Sequence, residues 1–178
     1  MTNRLISWAT LAGIVIVVLL APATGHGSVA ARTVADLTAS SDVIVFGVVT
    51  DVEPVGDGPV ATIHVSEVWK GVVDATVRYD VRRAWVCDTS YAQVGETAVL
   101  FLVRHTPGGA MMLAHSGRGR LVVTTIDGVQ YIHARVGGLT FPDEVAVKWQ
   151  LGADDRPDPW VTLADFRTYV KSKVSASG

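Results

Sequence analysis

The sequence has a single cysteine, Cys87, in 178 residues. Three interpretations of this thiol stay open: a buried small apolar side chain behind Trp85, an intermolecular disulfide, or a catalytic nucleophile. A nucleophile needs a histidine within hydrogen-bond reach. No local signature joins Cys87 to any of the histidines at positions 64, 105, 115 and 133.

Concentrated positive charge is also absent. The 15 Lys and Arg residues are outnumbered by 17 Asp and Glu residues, which gives a net charge of −2. The basic residues form no run and no stripe interleaved with aromatic residues. A nucleic-acid partner is therefore not expected.

Signatures of a bound cofactor are weak, and we expect the protein to bind no cofactor. The histidines are scattered, whereas zinc sites cluster their ligands at short spacing. One conditional metal site stands out. If the chain is cleaved after Ala23, the new N-terminus Thr24-Gly25-His26 offers an amine, two amides and the His26 imidazole, a square-planar set that suits Cu(II) or Ni(II). A disordered tail is the alternative interpretation.

Residues 1–23 have the pattern of a signal peptide. Arg4 is the only charge, and it precedes an apolar block that ends in Ala21-Pro22-Ala23, a small-x-small site typical of signal peptidase. An uncleaved membrane anchor over residues 5–23 is the rival hypothesis, because that length approaches the roughly 20 residues of a membrane helix. Both hypotheses place the folded part outside the cytoplasm, as a secreted or anchored protein.

Short apolar runs predict a mainly β fold. Residues 43–49 are almost continuously apolar, and Gly47 inside them indicates a bulge or a close backbone approach. Alternation from residue 61 predicts a partner strand with a bulge near Ser66. The residues between the two strands, 53–59, are predicted to form a flexible hairpin loop.

The rest of the chain supplies further strands and two helices. Strands are predicted at residues 73–81, 97–103, 110–114, 121–126 and 129–133, all antiparallel, and Asp127-Gly128 predicts a type I′ turn between the last two. Thr33 is expected to cap a short helix over residues 31–41, and Thr162 with Asp165 to begin a C-terminal helix. Residues 82–96 are predicted to be a long structured loop, and residues 137–160 an irregular wrap. Such a set of strands predicts a small closed barrel or a sandwich.

Several short segments are similar to the netrin-like family. They are SDVIVFGVV at 41–49, VWKG at 68–71, Cys87, VGE at 94–96 and LFL at 100–102. That family includes the N-terminal domains of tissue inhibitors of metalloproteinases and a set of secreted bacterial relatives. The resemblance covers residues 33–119 and implies a small OB-like antiparallel barrel of five strands.

The resemblance stops short of the chemistry of the inhibitors. Those proteins chelate the protease zinc with an N-terminal cysteine, and they pair the cysteine that matches Cys87 with a later one. No cysteine precedes Cys87 here, and none lies at residues 115–117. The resemblance therefore implies the fold, but neither the zinc contact nor the disulfide.

Four segments follow from these arguments. Residues 1–23 are the signal peptide or anchor, 24–32 a flexible segment, 33–136 the OB-like barrel, and 137–178 a wrapping loop with the C-terminal helix. The fold class expected is mainly β, with the barrel preceded by a short helix and followed by a longer one.

The expected function is that of a secreted, non-enzymatic binding domain that contacts another extracytoplasmic protein. Loops over residues 55–59 and 82–91 are the predicted contact surface, because loops on a rigid scaffold carry most binding residues. The candidate contact residues are Val55, Asp57, Arg82, Arg83, Trp85, Cys87 and Tyr91. The alternatives are a metalloprotease inhibitor without the cysteine-led contact and a Cys87-dependent enzyme. Membrane association is expected only if residues 5–23 stay uncleaved.

Overall fold

The computed structural model describes residues 32–56, 58–82, 91–105, 109–134, 136–145, 147–151 and 157–176. These residues contain two α-helices, α1 (Val34–Ser40) and α2 (Leu163–Ser175), and eleven strands. The strands are β1 (Arg32–Thr33), β2 (Val43–Val55), β3 (Gly58–Lys70), β4 (Thr76–Asp80), β5 (Thr97–Val103), β6 (Met111–Leu113), β7 (Arg120–Ile126), β8 (Val129–His133), β9 (Leu139–Thr140), β10 (Val147–Leu151) and β11 (Pro157–Thr162). A short 3₁₀ helix, Ser116–Gly119, precedes β7.

Five of the strands close into a barrel. Their order is β5-β2-β3-β4-β6, and β6 pairs back onto β5. This order is that of an OB-like barrel, and with α1 and α2 it confirms the predicted fold class. The expectation that all pairs are antiparallel was wrong, because β4 and β6 run parallel, as do β1 and β9. A closed ring with an odd number of strands cannot alternate throughout, so one parallel pair is required.

The sheet continues beyond the barrel through β7, β8, β11 and β10. Residues 137–160 were predicted to be irregular, but they contain β9, β10 and most of β11. The prolines in this segment had argued against strands. Pro157 and Pro159 lie on the part of β11 beyond its pairing with β8, where no hydrogen bond to β8 is required of them.

The β2–β3 hairpin is longer than the sequence indicated. The predicted loop over residues 53–59 is mostly strand, since β2 continues to Val55 and β3 begins at Gly58. Pro54 pairs with Pro59, and the Pro59 carbonyl accepts from the Val81 N–H outside the hairpin. The polar groups of this pair thus point outward, so the missing proline N–H groups cost the hairpin no bond.

Two predictions about irregularity in this hairpin are confirmed. The register shifts between the Phe46–Glu67 and Gly47–Val65 pairs, which leaves Ser66 as the extra residue of a bulge. A Cβ atom on Gly47 would overlap the carbonyl oxygen of His64. Only glycine permits that approach of the two backbones.

Two apolar clusters, one on each side of the barrel wall, hold the fold together. The inner cluster fills the barrel and includes Val45, Ile63, Tyr79, Leu100 and Leu102. The outer cluster lies between the barrel and the helices and includes Leu37, Trp69, Phe101, Phe166 and Val170. Strand β5 contributes to both clusters, which explains why its sequence is continuously apolar.

Both helices are capped by the threonines that the sequence predicted, but α1 begins at Val34 and not at residue 31, because Arg32–Thr33 form β1. The Thr33 hydroxyl accepts from the Asp36 N–H, and the Asp36 carboxylate accepts from the Thr33 N–H, each at 3.0 Å. Thr162 accepts from the Asp165 N–H at 3.1 Å. These capping contacts satisfy N–H groups that have no partner within the helix. Within the described part of the chain, neither helix combines the length and hydropathy needed to cross a bilayer.

Candidate functional site

The predicted contact residues divide between described and undescribed parts of the chain. Val55 lies at the end of β2, and Arg82 follows the end of β4. Asp57, Arg83, Trp85 and Cys87 lie outside the described residues, as does His26 of the conditional metal site. The predictions made for those five residues therefore remain predictions.

The structure brings Val55 and Arg82 to the same end of the barrel. The aliphatic stem of Arg82 lies against Gly58, the residue that pairs with Val55 across the hairpin. The Arg82 guanidinium forms an ion pair with Asp80 at 2.5 Å. Burial alone raises the pKa of Asp80, but its hydrogen bonds with Arg82 outweigh that effect and hold the pKa below its ordinary value. Asp80 is thus ionised at neutral pH and keeps Arg82 beside the hairpin.

A second ion pair stands farther along the hairpin. Arg78 on β4 contacts Glu53 on β2 across β3, with 2.6 Å between Nη2 and Oε1. Val55 itself is 42% exposed. The hairpin end, defined here as Glu53, Val55, Arg78, Asp80 and Arg82, therefore presents one apolar side chain beside two opposite-charge pairs.

Tyr91 belongs to a different group of side chains. Its ring lies 5.0 Å from the Arg120 guanidinium carbon, a cation–π arrangement. Arg120 also forms an ion pair with Glu96, and the two side chains are only 5% and 9% exposed. We call Tyr79, Glu96 and Arg120 the buried polar cluster, which Tyr91, itself 42% exposed, contacts from the surface.

Tyr79 places a hydroxyl inside the barrel next to this ion pair. Its side chain belongs to the inner cluster, and its hydroxyl is buried without a hydrogen-bond partner among the described residues. Burial first, and the negative charge of Glu96 second, raise the pKa of Tyr79 far above its ordinary value. Tyr79 is therefore neutral throughout the physiological range, and the charge of the cluster resides in the ion pair.

The histidines considered as partners of Cys87 lie on different elements. His64 is on β3, His105 follows β5, and His133 packs against the Trp160 ring at 4.8 Å between ring centres. The His115 Nε2 atom lies 3.0 Å from the Ser40 hydroxyl. Among the described residues, no three His, Cys, Asp or Glu side chains come together as metal ligands.

A groove separates the start of α2 from the β7–β8 hairpin. It encloses about 530 Å³. Its lining residues include Phe46, Glu67, Val129, Leu163 and Arg167.

The charges at this groove are matched within the chain. The Glu67 carboxylate accepts from Lys171 at 2.7 Å and from Arg167 at 3.3 Å. The Trp69 indole N–H faces the same carboxylate but lies outside normal hydrogen-bond geometry. Because Glu67 already has two cationic partners, the groove offers a ligand little unpaired charge.

Comparison with protein-family models and with curated proteins found no match to this chain. The resemblance to the netrin-like family therefore stays a prediction that rests on short segments. The structure gives a packing role to residues in two of them. Gly47 permits the close approach to β3, and Lys70 donates to the Thr38 carbonyl at the end of α1.

No pattern in the sequence pointed to the buried polar cluster. Glu96 and Arg120 are 24 residues apart and meet only because β7 pairs with β5, which places Arg120 opposite Leu100. The hairpin end was predicted in part, since the loop composition pointed to Val55 and Arg82. The ion pairs that flank these residues depend on strand register and could not be predicted.

Proposed function

We propose that this protein is a secreted, non-enzymatic binding domain of netrin-like type that contacts another extracytoplasmic protein through its hairpin end. The observation that carries the proposal is how far β2 and β3 extend. The pairing of β2 with β5 ends at Val48, and among the described strands only β3 pairs with the last six residues of β2. At about 3.3 Å per residue, β2 runs about 20 Å beyond its last pair with β5, while β3 beside it stays paired with β4 as far as Val60.

The free edge of this extension favours recognition through side chains. Asp51 and Glu53 carry negative charges along the edge, and Pro54 has no N–H to offer another strand. Charges and proline on an edge strand oppose pairing with a further strand. The partner is therefore bound by the side chains at the hairpin end and not by strand addition.

The hairpin end also has the composition of a small contact surface. Protein interfaces commonly place apolar side chains at their centre and polar groups around them. Val55 supplies the apolar centre, and the Glu53–Arg78 and Asp80–Arg82 pairs supply the polar surroundings. The complementary surface on the partner is an apolar depression bordered by charges of both signs.

Site-specific photo-crosslinking tests this proposal. A benzophenone amino acid is placed at Val55 in one variant and at Val129 in a control variant, and both are expressed with their native export route and irradiated. The control is matched, because Val129 lies at the tip of the β7–β8 hairpin and is 44% exposed, against 42% for Val55. We expect one discrete adduct from position 55 that excess unmodified protein competes away. Adducts of equal yield from both positions, or none from position 55, would refute the proposed surface.

Export is tested separately. N-terminal sequencing and intact mass of the protein recovered outside the cytoplasm are expected to show a chain that begins at Thr24. Recovery of the protein only from the cytoplasm would contradict the proposal. Recovery with an intact Met1 in the membrane fraction would replace secretion by anchoring.

A further inference from the structure

A positively charged surface lies beside α1, at the other end of β2 from the hairpin end. Three contacts assemble it. The Ser40 hydroxyl lies 3.0 Å from His115 Nε2, the Arg118 Nε–H donates to the Gly137 carbonyl at 3.0 Å, and the Arg32 N–H donates to the Gly138 carbonyl at 2.8 Å. Residues from β1 and from the 3₁₀ helix are thereby joined on one surface.

The backbone around this surface adopts unusual conformations. His115 and Ser116 both have positive φ angles, of 50° and 58°. Side-chain-bearing residues rarely adopt that conformation, and it costs free energy at each position. Gly138, at a φ of 71°, has no Cβ atom, which would otherwise lie 2.6 Å from Nη2 of Arg118. The guanidinium therefore lies directly against the main chain.

Arg118 differs in its partners from the four arginines that form ion pairs in the described part of the fold. Arg78, Arg82, Arg120 and Arg167 each form an ion pair with a carboxylate. Among the described residues, Arg118 donates only to a main-chain carbonyl, and its Nη2 atom is buried without a hydrogen-bond partner. A buried guanidinium nitrogen without an acceptor is costly unless an acceptor from outside the chain occupies the position.

The nearest acid does not meet this need. Asp36 directs its Oδ2 atom to the Thr33 N–H in the capping box of α1. Its carboxyl is close enough to Arg32 and His115 for their charges to help lower its pKa, after the larger effect of its hydrogen bonds with Thr33. The two guanidinium groups thus exceed the single carboxylate, and the surface keeps a net positive charge.

We propose that Arg32, His115 and Arg118 form a binding site for a phosphate-type oxyanion. Guanidinium groups present parallel N–H donors that match the oxygens of a phosphate group, and such charge-assisted bonds are strong. The buried Nη2 of Arg118 supplies the inner donor, and Arg32, which is exposed and near enough for its charge to act on His115, supplies a second guanidinium at the surface. The phosphate group belongs either to a free anion or to a lipid headgroup, and both present the same oxygens.

His115 provides a reporter within the site. Burial lowers its pKa, and the positive charges of Arg32 and Arg118 lower it further, while Asp36 opposes them. A bound anion offsets the two guanidinium charges and therefore raises the pKa of His115. This change distinguishes binding at the site from binding elsewhere.

The first experiment follows the His115 imidazole by NMR during titration of the full chain with inorganic phosphate, with ionic strength held constant by sodium chloride. We expect a saturable rise in the pKa of His115 and binding that is weaker by roughly tenfold or more in Arg118→Gln. Arg104→Gln is the matched control, because Arg104 also donates to a main-chain carbonyl, that of Val72 at 2.9 Å, and should bind phosphate like the parent protein. Arg32→Gln gives an independent test in which no buried group changes.

The second experiment separates the two sources of the phosphate group. The same proteins are sedimented with vesicles of phosphatidylcholine, alone or mixed with phosphatidic acid. Retention only on the mixed vesicles, lost in Arg118→Gln and kept in Arg104→Gln, assigns the site to a lipid headgroup, whereas phosphate binding without retention assigns it to a free anion. The proposal is overturned if neither probe binds, or if Arg118→Gln and Arg32→Gln bind like the parent protein.

Discussion

Replacing Arg120 by methionine should be among the most destabilising single substitutions in this protein. The change leaves the Glu96 carboxylate in a site where its side chain is 9% exposed, without the cation that neutralises it. Removing one partner of a buried pair typically costs about 3–5 kcal/mol. That is a large part of the roughly 5–15 kcal/mol that stabilises an ordinary domain.

Urea unfolding followed by circular dichroism and tryptophan fluorescence measures this loss. With a slope of about 2 kcal/mol per molar, a loss of about 4 kcal/mol moves the urea midpoint down by about 2 M. Arg78→Met is the matched control, because it breaks an Arg–Glu pair whose side chains are 53% and 46% exposed. Exposed pairs contribute about 0–1 kcal/mol, so the control should hardly move the midpoint.

The double variant Glu96→Leu with Arg120→Met completes the test. Replacing a whole buried pair by apolar groups is often neutral, so the double variant should recover most of the stability that Arg120→Met loses. The coupling free energy between the two positions should then be about 3 kcal/mol. The reasoning is refuted if Arg120→Met costs less than about 1 kcal/mol, or if the two single costs simply add in the double variant.

Two further predictions use the same unfolding assay. Gly47→Ala should cost about 1–3 kcal/mol or more, because its Cβ would overlap the His64 carbonyl oxygen and the paired backbones would have to shift; a cost under about 1 kcal/mol would contradict this. Burial raises the pKa of Glu67, but hydrogen bonds led by that of Lys171 outweigh it and hold the pKa below its ordinary value. The stabilisation is then present at neutral pH and is lost as the pH falls through that lowered pKa. The cost of Glu67→Gln should therefore shrink as the solution is acidified, and a cost that is constant with pH would exclude this account.

Signals that act over a few residues predicted much of the fold. Thr33 with Asp36, and Asp127 with Gly128, each act within a four-residue segment, and the structure shows the helix cap and two positive φ angles in the turn. Gly47 could be predicted because a glycine inside an apolar strand commonly marks a bulge or a close backbone approach. The prolines of β11 concealed a strand, since the effect of a proline depends on which side of the strand is paired.

The candidate sites depend on contacts that no local pattern encodes. Glu96 meets Arg120, and Ser40 meets His115, only after strands and turns far apart in the sequence have been placed. Composition counts these charged residues but does not say which of them are paired. The sequence therefore could not predict that Arg118 has no carboxylate partner within the described ranges. Only the folded structure shows this.

The two apolar clusters also set an order in which the protein can be completed as it is synthesised. The inner cluster takes its residues from Val43 to Leu113, so the barrel interior can form before α2 has been synthesised. The outer cluster needs Phe166 and Val170 on α2, and α2 also contacts α1 near the opposite end of the sequence. Until α2 arrives, the barrel carries an uncovered apolar face that contains Trp69 and Phe101. A nascent chain of this protein is thus most prone to aggregate after its barrel has formed and before α2 has emerged to cover that face.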